Sequence, residues 1–171
     1  FNQSIKLTES VFATWAEILH ALPTSQLFLK NKSFGGTDEQ ARVRRQFAAL
    51  GIAPERIVLE GESTREAYLA CFNRVDISLD PFPYTGGTTS VESLWMGVPV
   101  LTLAGQTMVA RQGLGILMNA GLADWVATTP EHYVHQALAK AKDIFESIIL
   151  IRPSHSGALN YLAKIEQVYK K

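Results

Sequence analysis

Apolar residues recur at helical spacing between Thr8 and the helix-breaking Pro23, which predicts an amphipathic helix near the start of the chain. Its apolar positions are Val11, Trp15, Ile18, Leu19 and Leu22. Short apolar runs at residues 26–30 and 56–59 are typical of buried strands. Between them, Asp38 is the predicted N-cap of a helix that reaches Leu50, with Gly51 as its C-terminal cap.

The same alternation of short apolar runs and helical segments continues along the chain. Further strands are predicted at residues 76–79, 99–103 and around 125–126. Further helices are predicted from Ser63 to Phe72, over 88–96, 108–120 and 130–142, and over 158–169. This order predicts an α/β fold with a Rossmann-like parallel sheet and helices on both faces. We expect one domain over residues 1–171, with 143–171 as a C-terminal helical tail and Trp15, Trp95 and Trp125 in the core.

Charge excludes some classes of partner. Lysine plus arginine and aspartate plus glutamate are 16 each, so the net charge is zero. Broad nucleic-acid or membrane-surface binding favours a basic excess, and we therefore expect neither nucleic acid nor membrane as a partner. An anionic ligand would have to be held by a local site.

Cysteine content bears on the cellular compartment. Cys71 is the only cysteine, so neither an internal disulfide nor a cysteine zinc cluster is possible. No apolar run approaches the roughly 18 residues of a membrane span, and no secretion signal is evident. We therefore expect a cytoplasmic protein.

The segment from residue 80 to 92, DPFPYTGGTTSVE, stands between a predicted strand and a predicted helix. Gly86 and Gly87 would let the backbone approach a ligand closely. Thr88 and Thr89 open the helix, where free N–H groups and the helix dipole favour an anion. Glu92 lies near the start of that helix and could accept hydrogen bonds from ribose. The alternative is a simple turn with a helix cap; Walker and dinucleotide fingerprints are both missing from this loop.

Three segments carry a family resemblance: FNQSIK at residues 1–6, LDPFPYTGGTTSVESLWMGVPVLT at 79–102, and GQTMVAR at 105–111. In this order they resemble the C-terminal catalytic lobe of the protein O-linked N-acetylglucosamine transferases, especially bacterial relatives that carry tetratricopeptide repeats. The resemblance extends to about residue 142. It implies the C-terminal domain of a GT-B glycosyltransferase, which holds the UDP part of UDP-N-acetylglucosamine. It also implies that no cofactor and no metal is required.

The resemblance assigns two groups of residues to the diphosphate, one near the start of the chain and one at the start of the helix over 88–96. Gln3 and Lys6 would reach it from the loop after the lobe's first strand, and Lys6 would have the catalytic role of neutralising charge on the leaving UDP. Thr88 and Thr89 would hold the same diphosphate, with backbone contacts from the glycine pair before them.

The nucleoside end is assigned in the same way. Glu92 matches an acidic residue that contacts the ribose, and Arg65 matches a basic position beside the uracil and ribose. Animal members have a histidine in place of Gly87 and another in place of Tyr68. Tyr68 would stack on or flank the uracil, and backbone and threonine contacts would carry the phosphate.

The resemblance also implies a larger protein. We expect the chain to be cut from a longer polypeptide near the end of a strand, without the N-terminal catalytic lobe and the tetratricopeptide repeats. The complete enzyme would transfer a sugar to serine or threonine of a protein with inversion, and the isolated fragment would be inactive. Two alternatives stay open: the donor lobe of another nucleotide-sugar transferase or a UDP-sugar epimerase, and a non-catalytic binding or scaffold domain.

Overall fold

Helices and strands alternate through residues 1–151, the part of the chain that the structure, a computed structural model, describes. The strands are β1 (Leu27–Lys30), β2 (Ile57–Glu60), β3 (Ser78–Leu79), β4 (Val100–Leu103) and β5 (Val126–Ala127). The helices are α1 (Glu9–Ala21), α2 (Thr37–Ala49), α3 (Arg65–Ala70), α4 (Thr88–Trp95), α5 (Gln112–Asn119) and α6 (Pro130–Ile151). The predicted helix over 158–169 lies outside the described residues.

All strand pairs are parallel, which confirms the predicted α/β class. β1 pairs with β2, with Leu27 opposite Ile57. β3, β4 and β5 form a second group in that order. Within residues 1–151 no ladder joins β1 to β3, so the strands form two adjacent parallel groups where one continuous sheet was expected.

Several helix ends differ from their predicted positions. α2 begins at Thr37 with Gly36 as its N-cap, so the prediction of Asp38 as the cap is wrong; Asp38 lies in the first turn, where a negative charge also suits the helix dipole. Gly51 follows this helix with a φ of 77°, as a C-terminal glycine requires. Thr64, and not Ser63, caps α3: its Oγ1 accepts the N–H of Ala67 at 3.3 Å.

Two later helices also differ in extent. The predicted helix over 108–120 is divided, because a 3-10 turn at Val109–Arg111 precedes α5. α6 continues past the predicted end at Lys142 to Ile151, since the sequence holds neither glycine nor proline before Pro153.

The core lies where α1 and α6 pack together beside the strands. Trp15 is 3% exposed and confirms its predicted core position. Trp95 was also expected in the core, and that prediction is wrong: it is 84% exposed at the end of α4, whose buried residues are serines on the opposite side. Tyr133 of α6 is fully buried and donates its hydroxyl to the backbone carbonyl of Asp80 at 3.1 Å, which connects the core to the loop after β3.

Among the helices of residues 1–151, none combines the length and the apolar character that crossing a membrane requires.

Candidate functional site

The loop after β3 is held to the sheet by the buried carboxylate of Asp80. Its Oδ1 accepts the N–H of Gly86 at 2.6 Å, and its Oδ2 accepts the hydroxyl of Thr102 in β4 at 2.8 Å. Burial raises the pKa of Asp80 to about 6, while these two hydrogen bonds and the nearby charge of Lys6 oppose the rise. The carboxylate therefore fixes where the glycine pair lies relative to the strands.

Asp80 predicts a pH dependence of stability. Its folded-state pKa of about 6 exceeds the usual value of 3.8, so between these pH values the folded chain keeps a proton that the unfolded chain releases. Its contribution to the free energy of unfolding is therefore complete below about pH 4 and is lost as the pH rises through 6, by up to about 3 kcal/mol. Urea unfolding between pH 4 and 7 should show this fall, and Asp80→Asn should remove it. If the free energy of unfolding changed with pH in the same way in the parent and in Asp80→Asn, the raised pKa of Asp80 would be contradicted.

Gly86 occupies a place that admits no side chain. A Cβ there would fall onto Ser90 Oγ and would lie 2.7 Å from Asp80 Oδ1 and 2.8 Å from Thr89 Oγ1. A Cβ on Gly87 would meet only the far end of the Gln112 side chain, at 2.8 Å from its Nε2. The first glycine is thus required by the packing of the loop, whereas the second leaves room for adjustment.

Lys6 reaches the N-terminus of α4 from the opposite end of the chain. The short turn Ser4–Lys6 directs its Nζ to the carbonyl of Thr85 at 3.0 Å and to Oδ1 of Asn2 at 3.3 Å. The hydroxyl of Thr89 donates to the same Asn2 oxygen at 3.2 Å. Asn2 therefore holds the ammonium group and the first turn of α4 together.

This arrangement is electropositive. α4 begins at Thr88 with Gly87 as its N-cap, and the first N–H groups of a helix have no partner within the helix. The ammonium of Lys6 lies 4.2 Å from the centroid of the Tyr84 ring and is half-buried. Burial lowers the pKa of Lys6, and the charge of Asp80 opposes this. A lysine and a helix N-terminus at one point form a site for an anion.

A second group of side chains meets on the same face of α4. Glu92 lies one turn beyond Thr89, and its two oxygens accept hydrogen bonds from Arg65 Nη1 at 2.7 Å and from the Tyr68 hydroxyl at 2.8 Å. Burial and the bond to Glu92 raise the pKa of Tyr68 above its usual value, so the phenol stays a donor. The ring of Phe1 contacts Tyr68 edge-on at 5.6 Å, which joins this group to the N-terminal turn.

The structure thus brings most of the predicted residues to one edge of the strands. Gln3 is exposed, and its backbone carbonyl accepts the N–H of Lys6 at 3.0 Å, so it shapes the turn; its role toward a diphosphate stays a prediction. Thr88 is exposed at the first position of α4.

Sequence reasoning missed the supporting roles of Asn2 and Asp80. Both lie inside the segments that carry the resemblance, but neither is charged and exposed in the way that marks a ligand contact. A polar side chain directly after a strand was the available signal for Asp80.

Metal ligands are not gathered in the part of the chain that the structure describes: no three histidine, cysteine, aspartate or glutamate side chains converge there. His132 of α6 lies beside Thr128, with its Nδ1 3.4 Å from the Thr128 backbone nitrogen. The expectation that no metal or cofactor is needed stays a prediction.

Comparison with known families decides the membership of the chain. The model of glycosyl transferase family 41 matches residues 1–152. The chain belongs to glycosyl transferase family 41. The resemblance read from the three sequence segments is thereby confirmed.

Similar proteins come from plants and from a nematode. The probable UDP-N-acetylglucosamine–peptide N-acetylglucosaminyltransferase SPINDLY of Solanum lycopersicum is 37% identical over 145 residues, covering 84% of this chain and 16% of that protein. The UDP-N-acetylglucosamine–peptide N-acetylglucosaminyltransferase of Caenorhabditis elegans is 29% identical over 143 residues, covering 84% of this chain and 12% of that protein. The chain therefore spans only a small part of the length of these relatives.

A solved structure has the same fold. A mutant O-GlcNAc transferase of Thermobaculum terrenum superimposes with a TM-score of 0.83 at 35% identity, covering 99% of this chain and 34% of that one. The fold is that of the C-terminal lobe of a GT-B glycosyltransferase, as predicted.

Proposed function

We propose that this chain is the donor-binding lobe of a protein O-glycosyltransferase and that it holds a UDP-sugar, UDP-N-acetylglucosamine, at the N-terminus of α4. The observation that carries the proposal is the meeting of Lys6 and Thr89 on the shared oxygen of Asn2. It supports a diphosphate site because an ammonium group and free helix N–H groups lie at one point beside a glycine pair.

The nucleoside is proposed to lie along the outer face of α4. Glu92 lies one helical turn after Thr89, on the same face of α4. Its carboxylate is therefore next to the proposed phosphate site and would accept hydrogen bonds from the ribose hydroxyls. Arg65 and Tyr68 already orient this carboxylate. Tyr68 is proposed to flank the uracil. A carboxylate has about four acceptor positions, so Glu92 retains capacity for a ligand.

The proposed reaction is an inverting displacement. A serine or threonine hydroxyl of the acceptor attacks the anomeric carbon from the face opposite to UDP. The bond from that carbon to the β-phosphate oxygen breaks, and its electron pair leaves with UDP. Lys6 and the N-terminus of α4 stabilise the negative charge that grows on the phosphate. The proton of the hydroxyl passes to a base in the other lobe.

The partners of the complete protein are proposed from its relatives. The names of the tomato and nematode proteins indicate a peptide acceptor and UDP-N-acetylglucosamine. We propose that an N-terminal catalytic lobe completes the acceptor groove and that tetratricopeptide repeats bind the acceptor protein. We propose the cytoplasm as its location, because a chain with a single cysteine forms no internal disulfide.

The donor is tested by thermal unfolding with a panel of ligands. UDP and UDP-N-acetylglucosamine at 100 times their dissociation constant should stabilise the protein by about 2.7 kcal/mol, which corresponds to a rise of roughly 5–10 °C in Tm. ADP, GDP and GDP-sugars at the same concentration should give smaller shifts, and UDP-glucose tests the sugar. Equal shifts with ADP and UDP would contradict the uridine assignment. A preference for a GDP-sugar would favour the alternative of another nucleotide-sugar transferase.

A further inference from the structure

The side chain of Gln112, the first residue of α5, reaches the N-terminus of α4. The three atoms nearest to a Cβ built on Gly87 are Nε2, Cδ and Oε1 of Gln112, at 2.8, 3.2 and 3.3 Å. The whole amide group therefore lies against the backbone of Gly87, which is the N-cap of α4. Because position 87 has no side chain, Gln112 supplies the polar group at this place.

The backbone beside Gln112 is fixed to the same loop residue that holds Lys6. Oγ1 of Thr85, which is fully buried, accepts the N–H of Gly113 at 3.1 Å and donates to the carbonyl of Val109 at 3.0 Å. The backbone carbonyl of Thr85 accepts Nζ of Lys6 at 3.0 Å. One buried residue thus positions both Lys6 and the start of α5 relative to the N-terminus of α4.

Close packing at Gly113 leaves the start of α5 little freedom to move. A Cβ on Gly113 would fall onto Oγ1 of Thr102 in β4 and would lie 2.7 Å from Oδ2 of Asp80. The helix therefore begins in direct contact with the hydrogen-bonded pair that fixes the loop after β3. Although the side chain of Gln112 is exposed, the interior of the site determines where its backbone lies.

The amide of Gln112 has donors to offer to a ligand. Within residues 1–151, no protein group forms a hydrogen bond with it, so water solvates it in the free protein. A glutamine amide has two N–H donors, and ionised phosphate oxygens act as acceptors. The amide is also neutral, so it adds donors beside Lys6 without repelling the ammonium group.

We propose that Gln112 is a further phosphate-binding residue, whose side-chain amide donates hydrogen bonds to the diphosphate at the N-terminus of α4. The diphosphate is then held by three parts of the chain: the free N–H groups of α4, the ammonium of Lys6 and the amide at the start of α5. This inference rests on the proposed UDP-sugar donor and adds a residue to its diphosphate site.

The test is calorimetric titration of the full-length natural protein with UDP and, by competition, with uridine. Gln112→Met keeps the length of the side chain and removes both N–H donors. It should weaken UDP binding roughly 10-fold, as expected for the loss of a hydrogen bond to a charged group. Uridine has no phosphate and should bind the parent and the variant equally well. A change in the shape of the site would instead weaken both ligands.

Gln112→Glu separates the ligand contact from any effect on the fold. Glutamate has nearly the same shape, and a negative charge suits the N-terminus of a helix, so the Tm should not fall. The same charge would repel the diphosphate, so UDP affinity should fall more than in Gln112→Met, and the loss should be largest at low ionic strength.

Asn119→Ala is the matched control, because it removes an amide from the other end of the same helix. The amide of Asn119 donates to the carbonyl of Gly115 at 2.8 Å and lies at the end of α5 that is remote from α4's N-cap. UDP affinity should be unchanged in this variant.

The outcomes distinguish this inference from the proposed function. If Lys6→Ala weakens UDP binding while Gln112→Met and Gln112→Glu bind UDP as the parent does, the role of Gln112 is overturned and the donor site stands. Equal losses of uridine and UDP affinity in Gln112→Met would also overturn the role of Gln112. A parent protein that does not bind UDP would overturn both.

Discussion

Replacing Gly86 by alanine is expected to remove UDP binding and to cost about 1–3 kcal/mol of stability, because the added methyl group overpacks the loop. The methyl would fall onto Ser90 Oγ and lie 2.7 Å from Oδ1 of Asp80, a side chain whose other oxygen, Oδ2, is held by the hydroxyl of Thr102 in β4. Relief would require the loop to move away from the N-terminus of α4, and the diphosphate site would move with it. Calorimetric titration with UDP measures the first effect, and urea unfolding measures the second.

The matched control is Gly115→Ala. Gly115 lies in α5, and apart from the adjacent residues and the nearby backbone of the same helix no described atom lies within 4 Å of the position of an added Cβ. Alanine there should leave UDP affinity unchanged and stabilise the helix by up to about 1 kcal/mol. If Gly86→Ala bound UDP as tightly as the Gly115→Ala control, the close packing of the loop would not matter for the ligand.

Replacing Lys6 by alanine is expected to lower kcat of the complete enzyme by roughly 100- to 1,000-fold, the usual effect of removing one group that stabilises transition-state charge. UDP affinity should fall less, by roughly 10- to 100-fold, because a charge-assisted hydrogen bond contributes about 1.5–3 kcal/mol. The larger effect on kcat follows because charge on the phosphate is greatest as UDP leaves.

Lys32→Ala is the control for the loss of a positive charge. Lys32 is exposed in the turn that follows β1, and its removal should change neither kcat nor UDP affinity. Circular dichroism of the Lys6 variant should match the parent, while its Tm should fall slightly, because the hydrogen bonds of Lys6 Nζ to Thr85 and Asn2 are lost. A Lys6 variant with the parent's turnover would remove the catalytic role from this residue.

The fold was largely predictable because its signals are local. Helical spacing located α1, and short apolar runs located β1 and β2. The observed start of a helix differs from the predicted one where two nearby residues both suit the N-cap position. Gly36 and Asp38 are such a pair at the start of α2. Which strands pair depends on contacts between residues far apart in the chain, and no local pattern predicts it.

The site was predictable in part for a similar reason. Lys6, Thr89 and Glu92 carry charge or hydroxyl groups at positions that match family motifs. Asn2 was missed because its importance depends on a hydrogen bond to a hydroxyl 87 residues away. Trp95 was wrongly predicted to lie in the core because its size and apolarity suggest burial. At the end of α4 its side chain lies on the solvent-exposed side of the helix.

The central claim is that a helix N-terminus and Lys6 together hold a diphosphate, and a crystal structure of the complex with UDP tests it most directly. The account predicts phosphate oxygens at the N–H groups of Thr88 and Thr89, with Lys6 Nζ about 3 Å from the β-phosphate. UDP bound elsewhere, or this position filled by the protein's own side chains with Lys6 directed away from it, would contradict the account.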